Sequence, residues 1–433
     1  MGLGKTVQVL ALLAERNANP ADAKKPSLVV APRSLVFNWL DEAARFTPHL
    51  RWRDHTGIAR RQDARAFSGT DVVITTYGTL RRDLRLFAGA SFDVIILDEA
   101  QAIKNANTQS AKGVRLLKGN RRLALSGTPI ENHLGEVWSL FEFLNPGMLG
   151  TAPAFRQALK QRASPDPRTV DTLSRALRPF ILRRTKQQVA RELPDRTEQT
   201  LHCEMKGEQK KLYEELRDYY RSALTSRIAE HGVERSQIQI LEGLLRLRQA
   251  ACHPGLIDRA RVGDASAKID ALIPHLEEIL AEGHKALVFS QFTSFLAILR
   301  RRLDAMHTTY AYLDGRTRNR AEPVERFQTD PSCPLFLISL KAGGLGLNLT
   351  AAEYVYLLDP WWNPAVEAQA IDRTHRIGQT RPVFAYRLVA RGTVEERILE
   401  IQAGKRELVE SILRADGRLS GRVTREDLEL LLS

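Results

Sequence analysis

The sequence predicts an α/β protein of two units, each built on a parallel β-sheet, with a mainly helical stretch between them. Apolar runs rich in β-branched residues recur without alternation, as strands covered on both faces require. Polar, glycine-rich or charged clusters follow them directly, at the strand carboxyl ends where open parallel sheets place their ligand sites. Residues 130–284, between the two groups of runs, carry apolar residues at three- and four-residue spacing.

The first group of runs is SLVVA (27–31), DVVITT (71–76), FDVIIL (92–97) and RLALS (122–126), followed by APRS, TYG, DEAQ and GTP. The second is KALVFS (285–290), TTYAYL (308–313), PLFLIS (334–339), EYVYLL (353–358) and VFAYRLV (383–389), with QF, DGR, LKAGGLG and DPWWN among the clusters after them. Bland turns would suffice for a purely structural sheet, so both units are expected to turn working edges toward a shared cleft. Between them ENHLGEVWSLFEFL, GEQKKLYEELRDYYRSALTSRIA and SQIQILEGLLRLRQAA read as amphipathic helices, punctuated by Pro153, Pro165, Pro167 and Pro194 and closed by Pro254. A helix over about 394–414 and a short TREDLELLL segment end the chain. The expected domains are 1–200, a first α/β lobe with a helical insertion; 201–265, a helical linker or protrusion; and 266–433, a second lobe with terminal helices. No internal repeat is found.

Composition narrows the function classes. Over 433 residues, 64 Lys+Arg against 51 Asp+Glu give a net charge of +13, with 43% hydrophobic and 27% charged residues. These are ordinary globular values, not those of a disordered chain. Cys203, Cys252 and Cys333 are too few and too widely spaced for a disulfide framework or a zinc knuckle, and Cys252-His253 reads as packing. No run of eighteen apolar residues occurs, so no membrane span is expected. The opening MGLGKTVQVLALLAE lacks the basic leader and small-residue cleavage site of a signal peptide. A basic chain with reduced thiols points toward nucleic acid or another polyanion.

Three motifs carry chemistry. Gly2-Leu3-Gly4-Lys5-Thr6 running into VQVLALLAE has the form of a phosphate-binding loop opening a helix. There, backbone N–H groups approach phosphate, the lysine reaches the β and γ oxygens and the threonine hydroxyl holds Mg2+. Asp98-Glu99, at the tip of an apolar run, supplies an acid to coordinate Mg2+ and a second to polarise the attacking water. In Gln369-Ala-Ile-Asp-Arg373-Thr-His-Arg376-Ile-Gly-Gln379, Arg373 and Arg376 stand three apart, so on a helix both would face one γ-phosphate. Residues 371–391 hold five arginines and one aspartate, net +4. A basic run is most often a solvated face.

At DEAQ, SGTPIENHLGEVWSLFEFLNP (126–146), RPFILRRTKQQVARELP (178–194), LDGRT (313–317), LKAGGLGLNLTAA (340–352) and DPWWNPAVEAQAIDRTHRIGQ (359–379), the chain resembles the Swi/Snf-type ATPases. These are superfamily 2 DNA translocases, and the likeness is to a bacterial, HepA-like member; it runs from residue 1 to about 405. The resemblance implies two RecA-like P-loop lobes with ATP between them and double-stranded DNA across the cleft. It implies ATP binding by Gly2, Gly4, Lys5, Thr6 and Gly346, Mg2+ at Thr6 and Asp98, and a catalytic set of Lys5, Asp98, Glu99, Gln101, Arg373 and Arg376. Gln101 stands where many superfamily 2 proteins have histidine and would couple the nucleotide to Ser126 and Thr128, with Gln369 also coupling. The DNA-facing positions are expected at Arg33, Ser34, Thr75, Thr76, Tyr77, Lys341, Gly343, Asn348 and Trp362. Trp361 is expected in the core and His375 on a helix surface or in a hydrogen bond between the lobes. The expected partners are double-stranded DNA and a DNA-bound protein such as RNA polymerase, at the cytoplasmic nucleoid.

The expected activity is ATP-driven movement along duplex DNA that displaces bound protein. The rival readings are a nucleotide-dependent clamp on DNA or RNA polymerase with little turnover and a strand-separating helicase, for which no pin or wedge insertion is seen. The pattern GxxxxGK[ST] begins before Met1, so a central strand feeding the loop is expected to be missing. About five buried residues at roughly 1.5–3 kcal/mol each amount to about 8–15 kcal/mol, as much as a typical domain's stability of about 5–15 kcal/mol. The first lobe of residues 1–433 is therefore expected to fold poorly and to hydrolyse ATP weakly or not at all.

Overall fold

A computed structural model describes residues 3–18, 25–57, 60–63, 66–127, 135–153, 155, 173, 175–182, 184, 186–190, 192–343, 347–361 and 364–400. The chain divides into two compact units between Val189 and Ala190. Among the described residues no helix is long and apolar enough to cross a membrane.

The first unit is a five-stranded sheet in the order β2-β3-β1-β4-β5, with every pair parallel. Its strands are β1 (Ser27–Ala31), β2 (Trp52–Asp54), β3 (Val72–Thr76), β4 (Ser91–Leu97) and β5 (Lys118–Ala124). Alternate side chains of one run serve opposite faces. Leu28 and Val30 pack with Val73, Leu80, Phe87, Phe92 and Phe143, whereas Val29 and Ala31 pack with Leu10, Leu13, Trp39, Ile74 and Ile96. Unbroken hydrophobicity was thus needed to fill both faces. Helices α1 (Lys5–Ala18) and α2 (Val36–Phe46) cover one side. On the other lie α3 (Tyr77–Arg82), α4 (Leu84–Gly89), α5 (Gln109–Arg115) and α6 (Gly135–Leu144). Because β1 pairs directly with β3 and β4, and β4 with β5, the described sheet has no central gap. A further strand would have room beside β2 or β5, the two edges of this sheet.

The second unit is a six-stranded parallel sheet in the order β6-β11-β10-β7-β9-β8. It comprises β6 (Arg196–Cys203), β7 (Ala286–Ser290), β8 (Tyr310–Leu313), β9 (Leu335–Ser339), β10 (Tyr354–Leu357) and β11 (Val383–Ala390). β6 is paired with β11 along its whole length, Arg196 to Val383 through Cys203 to Ala390. The expected boundary at residue 200 therefore falls inside a strand, and the expected separate linker of 201–265 groups with the second unit.

Gly207–Cys252 is helical throughout and forms α7. A straight helix rises about 1.5 Å per residue and would hold Gln209 and Ala250 about 60 Å apart. Instead Gln209 Nε2 donates to the carbonyls of Ala250 and Ala251 at 3.2 Å, and Tyr213 packs in one cluster with Leu244 and Leu247. The run therefore doubles back, and the two expected amphipathic segments are its antiparallel arms. Helices α8 (Ala267–Ala281) and α9 (Thr293–Ala305) cover the sheet through Leu272, Leu276, Phe295 and Leu299; α10 (Ala321–Thr329) and α11 (Pro364–Ile371) complete the labelled helices. The chain is helical again over 394–400.

After α7, His253 Nδ1 accepts from Gly255 N at 2.9 Å, and Pro254 ends the run. A Cβ added to Gly255 would stand 2.8 Å from Val262 Cα, a backbone atom that cannot swing aside. Gly255→Ala is expected to lower stability by about 1–3 kcal/mol; an unchanged urea midpoint would contradict it.

Candidate functional site

The end of β4 carries the densest polar arrangement of the first unit. Asp98 is buried, its N–H donating to Val30 O at 2.8 Å. Its Oδ2 accepts from Trp39 Nε1 at 2.9 Å, its Oδ1 from Glu99 N at 2.9 Å, and its carbonyl from Tyr77 Oη at 2.8 Å. Burial, then the neighbouring Glu99 charge, push the Asp98 carboxyl above its ordinary range, while Lys5 and Trp39 pull the other way. Tyr77 is raised well above its usual range by burial and by the same two acids, so it remains a protonated donor.

Glu99 sits in the left-handed region at φ 47 and ψ 56. For a residue with a Cβ this costs roughly 1–2 kcal/mol, and such strain persists only where surrounding bonds fix it. Here Ala100 N donates to Leu125 O at 2.9 Å and Leu125 N to Leu97 O at 2.8 Å, tying the turn to the end of β5. Gln101 Nε2 donates to Glu99 Oε2 at 2.6 Å, while Ser126 Oγ donates to Gln101 Oε1 at 3.2 Å. Gln101 thus joins the strained acid to Ser126.

Gly4 opens α1 at φ +69, and its carbonyl accepts from Gln8 N at 3.0 Å. Lys5 begins the helix, with its Nζ buried and without a hydrogen-bond partner in the fold, yet close enough to Asp98 to lower that carboxyl's pKa. An ammonium buried without a bonded partner costs several kcal/mol, and a helix amino terminus favours anions, so this corner fits a phosphate. Thr6, half-buried, follows in the first turn. The base of α1 is held by Arg16, which grips Asp93 of β4 through Nε at 2.5 Å and Nη2 at 2.9 Å. Among the described residues no group of three or more His, Cys, Asp or Glu side chains is placed to hold a metal. Asp98 and Thr6 carry oxygens of the kind Mg2+ takes, one or two from protein with phosphate and water completing the shell.

In the second unit Arg373 is buried and Arg376 half-buried, but neither is on a helix, as the three-residue spacing had suggested. α11 stops at Ile371: Thr374 Oγ1 bonds back to Ile371 O at 2.8 Å, and Arg373 N and Thr374 N make i→i−3 bonds that tighten the chain into turns. Gln379 Nε2 then donates to the carbonyls of Thr350, Ala352 and Thr374, fixing the turn from outside. Gln369 is buried on α11. His375 is also buried and bonds Pro194 O at 2.8 Å, which places it within the second unit and away from a helix surface.

Of the expected DNA-facing residues, Arg33 and Asn348 are exposed. Thr75, Thr76 and Tyr77 are not. Thr75 is fully buried, its hydroxyl donating to His55 O at 2.9 Å; Thr76 accepts from Thr79 N as the amino-terminal cap of α3; and Tyr77 holds Asp98. Their hydroxyls are engaged inside the fold. Ser34 and Lys341 have described backbones only, and Gly343 ends the short helix Leu340–Gly343. Gly2, Thr128, Gly346 and Trp362 lie outside the described residues; Trp361, expected in the core, is half-buried.

The family model for the SNF2-related domain matches residues 1–256, and that for the helicase conserved C-terminal domain matches 267–378. The chain belongs to the SNF2-related family. It is 37% identical to the YwqA protein of Bacillus subtilis strain 168, covering 99% of this chain and 48% of that protein. It is 34% identical to the SWI/SNF-related matrix-associated actin-dependent regulator of chromatin subfamily A member 1 of Mus musculus, over 99% of this chain and 42% of that one. The chain thus spans about half the length of the first, or less, of these curated relatives. Among solved structures, the Sulfolobus solfataricus SWI2/SNF2 ATPase core in complex with dsDNA aligns over 96% of this chain and 88% of that one, at 34% identity and a TM-score of 0.44.

In this SNF2-family chain Trp39 escaped the sequence reading. A tryptophan on an amphipathic helix reads as core, and Trp39 is core, but its indole N–H also secures Asp98. Trp39→Phe is expected to cost about 1.5–3 kcal/mol, the range for a hydrogen bond to a charged group; a urea midpoint equal to wild type would exclude this.

Proposed function

We propose that the chain is the motor of an ATP-dependent translocase on double-stranded DNA, coupling hydrolysis to movement along the duplex and displacement of bound protein, RNA polymerase among the candidates. The observation that carries this reading is the unpartnered, buried Lys5 Nζ beside the Asp98–Glu99 turn. Lys5 would hold the β and γ phosphates, Asp98 and Thr6 would hold Mg2+, and Glu99 would take a proton from the attacking water. Bound Mg2+ would neutralise charge developing on the phosphate oxygens. Gln101 holds Glu99 in orientation and links it to Ser126. Arg373 and Arg376 are the arginines assigned to the γ-phosphate. Duplex DNA as the track rests on the family resemblance, on the net charge of +13 and on the mouse relative's name as a regulator of chromatin.

The test is a pair of assays on one preparation. Duplex-stimulated ATP hydrolysis with triplex displacement, and without unwinding of a forked duplex, is the expected result. Fork unwinding would replace the translocase reading with a helicase. Duplex binding with no hydrolysis would replace it with a clamp.

A further inference from the structure

The loop after β10 is held at every residue from 358 to 361. Leu358 O accepts from Lys268 Nζ at 2.7 Å, and Asp359 accepts from Ser290 Oγ at 2.5 Å and from Gln291 N at 3.2 Å. Pro360 O accepts from Arg248 Nη2 at 2.5 Å. Trp361 N donates to Glu367 Oε1 at 2.7 Å. Glu367, on α11, is 0% exposed, and its second oxygen accepts from Arg387 Nε of β11 at 2.8 Å. From Arg387 the charges continue to Glu198 at 3.8 Å, from Glu198 to Arg196, and from Arg196 to Asp372 at 3.1 Å. Asp372 directly precedes Arg373 in the turn that also bears Arg376.

Packing alone does not call for such a chain of charges. A buried ion pair is often replaced by apolar side chains of similar volume with no loss of stability. Apolar replacements, however, would leave Trp361 N without its acceptor and would sever the loop from β11, β6 and the arginine turn. Every link but one is a hydrogen bond with a fixed donor and acceptor, and the exception, Arg387 to Glu198 at 3.8 Å, is an ion pair, so a displacement at one end is passed on as a change of geometry at the next.

We propose that Glu367 and Arg387 are positioning residues that set the loop Leu358–Trp361, next in sequence to the expected DNA-facing Trp362, and, through Glu198, Arg196 and Asp372, tie it to the turn bearing Arg373 and Arg376. Resting on the function proposed above, this makes the network the element within the second unit that links duplex binding to nucleotide state.

The experiment uses the full chain and a fluorescein-labelled blunt DNA duplex, with duplex Kd measured with and without adenylyl-imidodiphosphate. The ratio of the two constants is the coupling between the sites. Wild type is expected to give a ratio about fivefold or more from one, in either direction, within the usual span of such couplings. Glu367→Gln and Arg196→Gln are each expected to bring the ratio to within about twofold of one, at a temperature where a melting curve shows the variant folded. Arg196 lies at the rim of the network, with 22% of its side chain exposed, so its variant decides the matter should Glu367→Gln not fold. A lower melting temperature with a wild-type ratio would show a merely structural network and overturn the proposal. A wild-type ratio of one alongside firm duplex binding would overturn it too. No duplex binding by wild type would instead remove the underlying reading, and the inference with it.

Discussion

Lys268→Met is expected to destabilise the second unit by about 3–5 kcal/mol, the usual cost of removing one partner from a buried ion pair. Lys268 and Glu395 are both fully buried, and Lys268 Nζ donates to Glu395 at 2.7 Å and to Leu358 O at 2.7 Å. Glu395 also accepts from Ala390 N at 2.9 Å. The pair therefore joins α8, the end of β10 and the start of the helix after β11. Cys252 lies against both groups, but burial pushes its thiol well above its ordinary pKa, so it stays neutral and does not compensate for the lost ammonium. Against a typical domain stability of about 5–15 kcal/mol, the loss should be plain in urea denaturation of the second unit. Lys268→Met/Glu395→Leu removes the stranded charge while leaving Leu358 O and Ala390 N without partners. Its destabilisation should fall short of the sum of the two single losses by up to about 3 kcal/mol. Additive losses would mean that the two side chains do not act as a pair.

Glu99→Gln is expected to lower duplex-stimulated ATP hydrolysis by about a hundred- to ten-thousandfold, the usual contribution of a positioned general base. Nucleotide affinity should change little, because Lys5 and Asp98 remain. The replacement keeps the shape of Glu99 and can still meet Gln101, so a lost rate would report lost basicity. A companion variant separates strain from chemistry. Glycine adopts the φ of 47 found at Glu99 freely, relieving roughly 1–2 kcal/mol while adding about 0.5–1 kcal/mol of backbone entropy cost. Glu99→Gly should therefore be as stable as wild type or up to about 1.5 kcal/mol more stable, with hydrolysis lost. Sustained turnover in Glu99→Gln would dismiss Glu99 as the base. A marked drop in melting temperature for Glu99→Gly would show that the side chain stabilises the turn by more than its strain costs.

The strands visible in the sequence are those whose position forces a pattern. β1, β3, β7 and β9 are buried at every residue, so their runs are apolar except for Ser or Thr at the strand ends. β2 and β6 are edge strands with one neighbour each. Trp52–Asp54 and Arg196–Cys203 are largely polar, which an edge tolerates and an apolar-run reading overlooks. The DNA-facing reading of Thr75, Thr76 and Tyr77 meets a related point. A hydroxyl at a strand end reads as available to a ligand, whereas here His55, Thr79 and Asp98 already engage it.

The sequence by itself determined the two-sheet class, the helix that opens at Lys5 and the place of Asp98–Glu99 at the end of a buried strand. Each of these is written in short segments whose residue types have local consequences for backbone, burial or charge. Only the tertiary structure decided that Trp39 secures Asp98 across 59 residues, that Lys268 meets Glu395 across 127, that α7 doubles back, and that Arg373 and Arg376 lie in turns past the helix end. Such pairings leave no periodic trace, because a hydrogen bond between distant residues depends on where the sheets carry their backbones, and that is settled by packing the whole core at once.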